Sequence, residues 1–313
     1  MRKILITGGT GFIGARFVYK FLELNDAVHL LVRPKAKFWR IEPIQRKLTL
    51  HTADITQKDE VDKLVLGLKP DIILHFAVYG AHSGVQTDAK TMLDTNVLGT
   101  INLINACSKI PFTCFINTGS SSEYGEKDES MKEYDLLAPN NLYGITKAAA
   151  TNYCQHMAKT NNLPIITMRL FSPYGPYEDK TKLFPAIINA HLTGSALRLS
   201  SPSSVRDFVF IDDVVSAYLE GIKKIDMVRG NIFNVGSGVQ HSIKNVVTAF
   251  ETVIGQTIHA QYETFESSQH EPKCWVADIS KAKKLLCWEP KVSIEDGLRK
   301  DIEWLGTHRK FYE

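Results

Sequence analysis

A phenol is a poor acid or base near neutrality, because its pKa lies near 10. A lysine four residues on changes that, since positions i and i+4 share one face of a helix. An ammonium roughly 5 Å away, at an effective dielectric of about 20, is worth roughly 3 kcal/mol, or about two pKa units. Of the eleven tyrosines only Tyr143 has a lysine, Lys147, at this spacing. Such a pair can give and take a proton. Standing alone it could equally be solvent-facing helix. It does not stand alone: F-I-N-T-G-S-S-S-E-Y-G, from Phe115 to Gly125, ends a strand candidate in a hydroxyl, Ser120. That hydroxyl can hydrogen-bond the oxygen on which Tyr143 acts. Ser121 and Ser122 can join that contact or cap the next turn.

The second chemical signal is T-G-G-T-G-F-I-G from Thr7 to Gly14. It follows an apolar run and opens a helix-period segment. Gly8, Gly11 and Gly14 suit a tight turn, close backbone approach to a pyrophosphate, and close packing of helix on strand. The helix N-terminus offers unpaired N–H groups and a positive dipole end to the phosphates. A dinucleotide is therefore expected here. The second strand runs into Val32-Arg33-Pro34-Lys35, with Lys37 after it and no acid. An acid there would accept from a ribose 2′-OH, whereas a guanidinium can hold a 2′-phosphate. Arg33 thus points to NADP(H), with NAD as the alternative.

Regular elements must position these groups. Apolar strand candidates at 3–7, 27–32, 48–51, 71–77, 113–118 and 165–169 alternate with helical segments at 12–24, 57–66, 91–108 and 143–159. That alternation predicts right-handed βαβ units: an α/β fold with a doubly wound parallel sheet over residues 1–170. After the breaker S-P-Y-G-P at Ser172 to Pro176 the texture changes. Helices are expected at 183–193, 212–223, 242–254 and 280–286, with short strands at 207–211 and 231–235. Residues 171–313 read as a smaller α/β lobe, with a boundary interleaved with the first domain.

Composition removes several classes. The net charge of +3 is too small for a dedicated nucleic-acid surface. The apolar run 72–78 is far too short to span a bilayer. Five scattered cysteines without a C-x-x-C pair suggest reduced thiols in a cytoplasmic protein, with neither disulfides nor a metal site.

Taken together, the motifs resemble the extended short-chain dehydrogenase/reductase family, in its nucleotide-sugar branch. The resemblance covers nearly the whole chain. It runs through Thr7–Gly14, Asp54-Ile55, His75-Phe76-Ala77-Val78, Asn96, Ser120, Tyr143 and Lys147. It continues in R-L-F-S-P-Y-G-P from Arg169, R-D-F-V-F-I-D-D from Arg206, and A-D-I-S-K-A from Ala277. It implies a Rossmann domain and a homodimer acting on a nucleoside-diphosphate sugar. Tyr143 would be the acid/base, Lys147 would lower its pKa and hold the nicotinamide ribose, and Ser120 would orient the sugar oxygen. The implied cofactor contacts are Gly8, Thr10, Gly11, Phe12, Ile13, Gly14, Arg33, Asp54, Ile55, Phe76, Ala77, Val78, Asn96, Tyr143, Lys147, Phe171 and Pro173. The implied substrate contacts are His82, Ser121, Ser122, Ser172, Phe184 and Arg206, the last as a diphosphate clamp.

Departures from the family pattern narrow the reaction. Ser172 replaces an Asn that often touches substrate, and Ser268 stands where many members carry a second phosphate-binding Arg. A 4,6-dehydratase carries Glu two residues after the catalytic hydroxyl. Here that residue is Ser122, and Glu123 comes one place too late. Two outcomes remain prominent. One is NADPH-dependent reduction of a 4-keto-6-deoxy sugar at C4, which Arg33 favours. The other is 4-epimerisation on retained NAD. A third reading, from another class, is a non-catalytic NADP(H)-binding regulator; the intact Ser120, Tyr143 and Lys147 weigh against it.

Overall fold

The computed structural model describes all residues except 82–85, 263–271 and 310–313. The chain runs β1 (Lys3–Thr7), α1 (Phe12–Glu23), β2 (Ala27–Val32), β3 (Thr49–Thr52), α2 (Lys58–Leu68), β4 (Ile72–His75), α3 (Ala89–Leu93), α4 (Gly99–Cys107), β5 (Cys114–Ser120), α5 (Leu142–Thr160) and β6 (Ile165–Leu170). Then come β7 (Ser172–Tyr174), α6 (Leu183–Thr193), β8 (Leu197–Leu199), β9 (Val205–Phe210), α7 (Ile211–Lys223), α8 (Ile225–Val228), β10 (Ile232–Val235), β11 (Gln240–Ser242), α9 (Ile243–Ile254), β12 (Ala260–Tyr262) and α10 (Ile294–Thr307).

Seven strands pair in the order β10-β6-β5-β4-β1-β2-β3, all parallel. The order reverses between β1 and β4. The inner strands β1, β4 and β6 have both faces covered, so apolar residues fill both sides. Ile4 and Ile6 pack with one core and Leu5 with the other; Ile72 and Leu74 oppose Ile73 in the same way. Side chains alternate across a strand, and that alternation makes the two layers. One layer holds Phe17, Val18 and Phe21 of α1 and Val214 and Tyr218 of α7. The other holds Val61 and Val65 of α2, Leu103 and Ile104 of α4, and Cys154 of α5.

The chain leaves this sheet at Leu170 and later returns to it, because β10 pairs beside β6. The remaining strands form a three-stranded sheet, β11-β9-β7, and a pair, β12-β8. Sequence periodicity located α6 to the residue, but it left α10 as unassigned chain. The start signal of α10 is present: Ser293 caps it by accepting from the Asp296 N–H, with Glu295 and Asp296 in the first turn. Among the described residues no helix is long and apolar enough to cross a membrane.

Candidate active site

The carboxyl ends of β1, β2, β4, β5 and β6 share one rim of the parallel sheet, and the crevice opens where the strand order reverses. At the end of β1, Gly8 has φ +69°, and a Cβ there would meet the Ala77 backbone nitrogen at 2.6 Å. Only glycine fits. Gly11 is the N-cap of α1, and no side chain caps the helix. The first-turn N–H groups therefore lack a side-chain acceptor, which suits a dinucleotide pyrophosphate. The chain thus fits the cofactor. Thr10, Phe12 and Ile13 line the turn partly exposed, and Gly14 is buried. Arg33 is exposed just beyond β2. Asp54 is partly exposed and turns its Oδ1 to the Thr56 N–H and hydroxyl, both at 2.9 Å. Ile55 is buried beneath it.

Three expected contacts play a different part. The Phe76 ring turns into the core, 4.7 Å from the Phe17 ring and 5.5 Å from that of Tyr218. Asn96 sits in a π-helical turn, Asp94–Leu98, with both polar ends committed. Its Oδ1 accepts from the Tyr79 N–H at 2.8 Å, and its Nδ2 donates to the Tyr79 carbonyl and to the Thr146 hydroxyl. It braces the loop after β4 against α5. Phe184 is 1% exposed and stacks on Tyr174 at 3.9 Å, so its ring is part of the core. Ala77, Val78, Ser172 and Pro173 remain partly exposed at the rim, while Phe171 is buried with Tyr124, Met131 and Ala277. His82 and Ser268 lie outside the described residues.

Ser120, Tyr143 and Lys147 come together. Asn141 caps α5 by accepting from the Gly144 N–H, which sets Tyr143 in the first turn beside the end of β5. Burial pushes the Tyr143 phenol up to about 12; its hydrogen bond with Ser120 pulls it down, and the Glu123 charge pushes it up. Lys147 was expected to prime this phenol. In the protein alone burial dominates, and the Lys147 ammonium is itself lowered by burial. His75 is held neutral, driven down to about 3 by burial and by Lys147. It bridges Thr7 and Thr100 with its two ring nitrogens.

Ser121 and Ser122 play unlike parts. The Ser122 N–H donates to the Ser120 Oγ at 3.1 Å. The buried Ser121 Oγ accepts from the Trp275 indole N–H at 3.2 Å. Sequence reasoning missed Trp275. Its ring lies 5.5 Å from the Arg206 guanidinium, so it joins the expected diphosphate clamp to the serine turn. No short motif could reveal that contact, which spans 154 residues. The Asp207 carboxylate holds the segment by accepting from the Ala277 N–H, as well as from those of Ser237 and Gly238.

Glu123 is wholly buried. Its Oε1 accepts from the Ser120 N–H at 2.8 Å and the Thr151 hydroxyl at 3.0 Å, and its Oε2 accepts from Arg169 Nε at 2.7 Å. A hydroxyl, a phenol and an ammonium beside a dinucleotide crevice can move one proton to and from a sugar oxygen.

A model of the family described as NAD dependent epimerase/dehydratase matches residues 4–236. The chain belongs to that family. Among this family member's relatives, a UDP-glucuronate 4-epimerase from Thermodesulfobacterium geofontis is 28% identical, over 96% of this chain and 95% of that one. A UDP-glucuronic acid 4-epimerase from Bacillus cereus, solved with UDP-glucuronic acid and NAD, superposes with a TM-score of 0.86 at 29% identity, covering 98% and 99% of the two chains. A dTDP-glucose 4,6-dehydratase from Bacillus anthracis, solved with NAD, gives 0.87 at 26% identity, covering 99% and 98%.

Proposed function

We propose that this member of the NAD-dependent epimerase/dehydratase family is a nucleotide-sugar 4-epimerase that works on a retained NAD. The single observation that carries the reading is the commitment of Glu123. Dehydration needs a further acid beside the sugar. Position 122 is a serine, and the neighbouring carboxylate is taken up by Ser120, Thr151 and Arg169. What remains is proton transfer at one oxygen.

In this reading Tyr143 takes the C4 hydroxyl proton through a contact shared with Ser120, and the sugar becomes a 4-ketone. A dinucleotide held at the Thr7–Gly14 turn would supply the acceptor and donor of the C4 hydride. Tyr143 gives the proton back after the sugar has presented its other face. Arg206 holds the diphosphate, and Lys147 holds the nicotinamide ribose. The relatives named above, and the NAD in their complexes, support this reading over the 4-keto reductase that Arg33 favoured. The reductase stays as the second reading on one specific observation: Arg33 is exposed beyond β2 with no acid in its place. A homodimer is the assembly we propose, since Leu93, Leu98 and Ile145 are exposed on the neighbouring helical segments.

The test is to release and identify the dinucleotide carried by the purified protein, then to incubate the protein with UDP-, dTDP-, CDP- and GDP-hexoses. Retained NAD and a C4 epimer formed without net NADH are expected. Stoichiometric oxidation of added NADPH by a 4-keto nucleotide sugar, with no epimer formed, would establish the reductase instead.

A further inference from the structure

Tyr143 lies in the first turn of α5, where a helix has fewest bonds of its own. Its carbonyl takes an extra one: the Thr146 hydroxyl donates to it at 2.8 Å. Thr146 in turn accepts from Asn96 Nδ2 at 3.0 Å. The Asn96 carbonyl accepts from the Thr100 hydroxyl at 2.7 Å. Thr100 Oγ1 stands 2.8 Å from His75 Nε2, and His75 Nδ1 stands 2.7 Å from Thr7 Oγ1. Thr7 Oγ1 accepts from the Ala77 N–H at 3.1 Å. Thr7, His75, Asn96, Thr100 and Thr146 are all buried.

Counting protons fixes the direction of every link. Thr100 gives its one hydroxyl proton to the Asn96 carbonyl, so towards His75 it can only accept. His75 Nε2 therefore carries a proton. Burial holds the ring neutral, which leaves Nδ1 bare, and the Thr7 hydroxyl donates to it. The other tautomer would set a bare Nε2 against a hydroxyl with no proton to give. Links that all run in one sense polarise one another, the more so in a dry interior. The chain starts where the dinucleotide turn meets the sheet, since the Ala77 nitrogen is the atom that a Cβ on Gly8 would meet at 2.6 Å. It crosses β1, β4, the π-helical turn and α5, and it ends at the acid/base.

We infer that His75 is a positioning residue for the proton transfer: in its Nε2–H tautomer it closes a chain of hydrogen bonds that seats Tyr143 against the backbone behind the glycine turn. Placement is what such a chain supplies, because an error of about 1 Å in a reacting group can cost roughly 10²-fold in rate. The inference rests on Tyr143 being the acid/base.

The experiment needs no sugar. The protein loaded with NAD carries tyrosine labelled with 13C at the carbonyl, and the Tyr143 resonance is assigned by its loss in Tyr143→Phe. Thr146→Val removes the last link and should shift this resonance. His75→Phe should shift it the same way by a smaller amount. His75→Gln keeps a donor towards Thr100 and should hold it nearer the wild-type position. With Thr146→Val in place, His75→Phe should add no further shift, because the link that carries its effect is gone. An unmoved resonance in His75→Phe, equal shifts in His75→Phe and His75→Gln, or a full further shift in the double variant would overturn the inference. Should His75→Phe fail to fold, Thr100→Val breaks the next link with little change of shape. The same shift is expected there, and an unmoved resonance overturns the inference again. The underlying reading fails separately, if Tyr143→Phe turns over at the wild-type rate.

Discussion

The two halves of the crevice are built by different means. On the dinucleotide side the decisive features are local. The turn from Thr7 to Gly14 is eight consecutive residues, and its shape follows from glycine conformation and one strand contact. On the sugar side almost every feature is long-range. Trp275 reaches Ser121 and the Arg206 ring-stacking position, Asp207 pins Ala277, and Tyr124 donates to Asn234 across 110 residues. A half made of backbone geometry accepts one kind of ligand group, a phosphate bridge. A half assembled from distant side chains can be retuned one residue at a time. Function within such a fold lives on that second side.

The sharpest way to break the comparison is at the seam. Tyr143→Phe should lower kcat by about 10²–10⁴-fold, the usual worth of a positioned acid/base. Dinucleotide affinity and melting temperature should stay near the wild type. A similar loss of NAD binding would mean that the tyrosine belongs to the dinucleotide half instead.

The next effect is confined to the sugar side. Asp301 in α10 is buried, and neither carboxylate oxygen has a hydrogen-bond partner among the described residues. Burial pushes its carboxyl up to about 7. The folded state therefore holds this proton more tightly than the unfolded chain. No stability is lost below the unfolded pKa near 4; the loss grows as the pH rises to about 7, then levels. At about 1.4 kcal/mol per unit the upper limit is ~4 kcal/mol. Asp301→Asn should raise the melting temperature by roughly 5 °C at pH 8 and by less at pH 5, as read by calorimetry. An equal gain at both pH values would remove the charge from the explanation.

On the dinucleotide side, Gly8→Ala places a methyl against the Ala77 backbone in a left-handed conformation. A loss of about 1–3 kcal/mol is expected, together with loss of NAD binding by calorimetry. Wild-type NAD affinity in this variant would show that the turn tolerates a side chain and that the first half is not set by backbone geometry. The smallest effect belongs to Ser121→Ala. It removes one hydrogen bond from Trp275, worth about 1 kcal/mol. It should weaken nucleoside-diphosphate binding several-fold and leave NAD binding unchanged. Equal weakening of both ligands would join halves that the contacts keep apart.

The parallel sheet was legible because buried strands are short apolar runs between helical segments, and periodicity reports both. Ser120, Tyr143 and Lys147 were legible because spacing on one helix and the end of one strand carry them. The ring directions of Phe76 and Phe184 were not legible, because a motif position does not say which way a ring turns; packing against Phe17 and Tyr174 decided it. The bracing partners of Asn96, Tyr79 and Thr146, were not legible, because only the π turn brings them together. The displaced Glu123 was visible by its position, but its fate was not.

The sequence alone determined what depends on neighbours along the chain: the glycine turn, the strand–helix alternation, the i and i+4 row of α5, and the missing carboxyl at position 122. Those follow from backbone sterics and helical pitch, which act over a few residues. The tertiary structure alone decided which charges are buried together and which aromatic ring meets which hydroxyl. It also decided that burial, rather than Lys147, dominates the phenol of the free protein. These depend on desolvation and on contacts between residues far apart in the chain, such as Asn96 with Thr146, 50 apart, and Trp275 with Ser121, 154 apart, which no local pattern encodes.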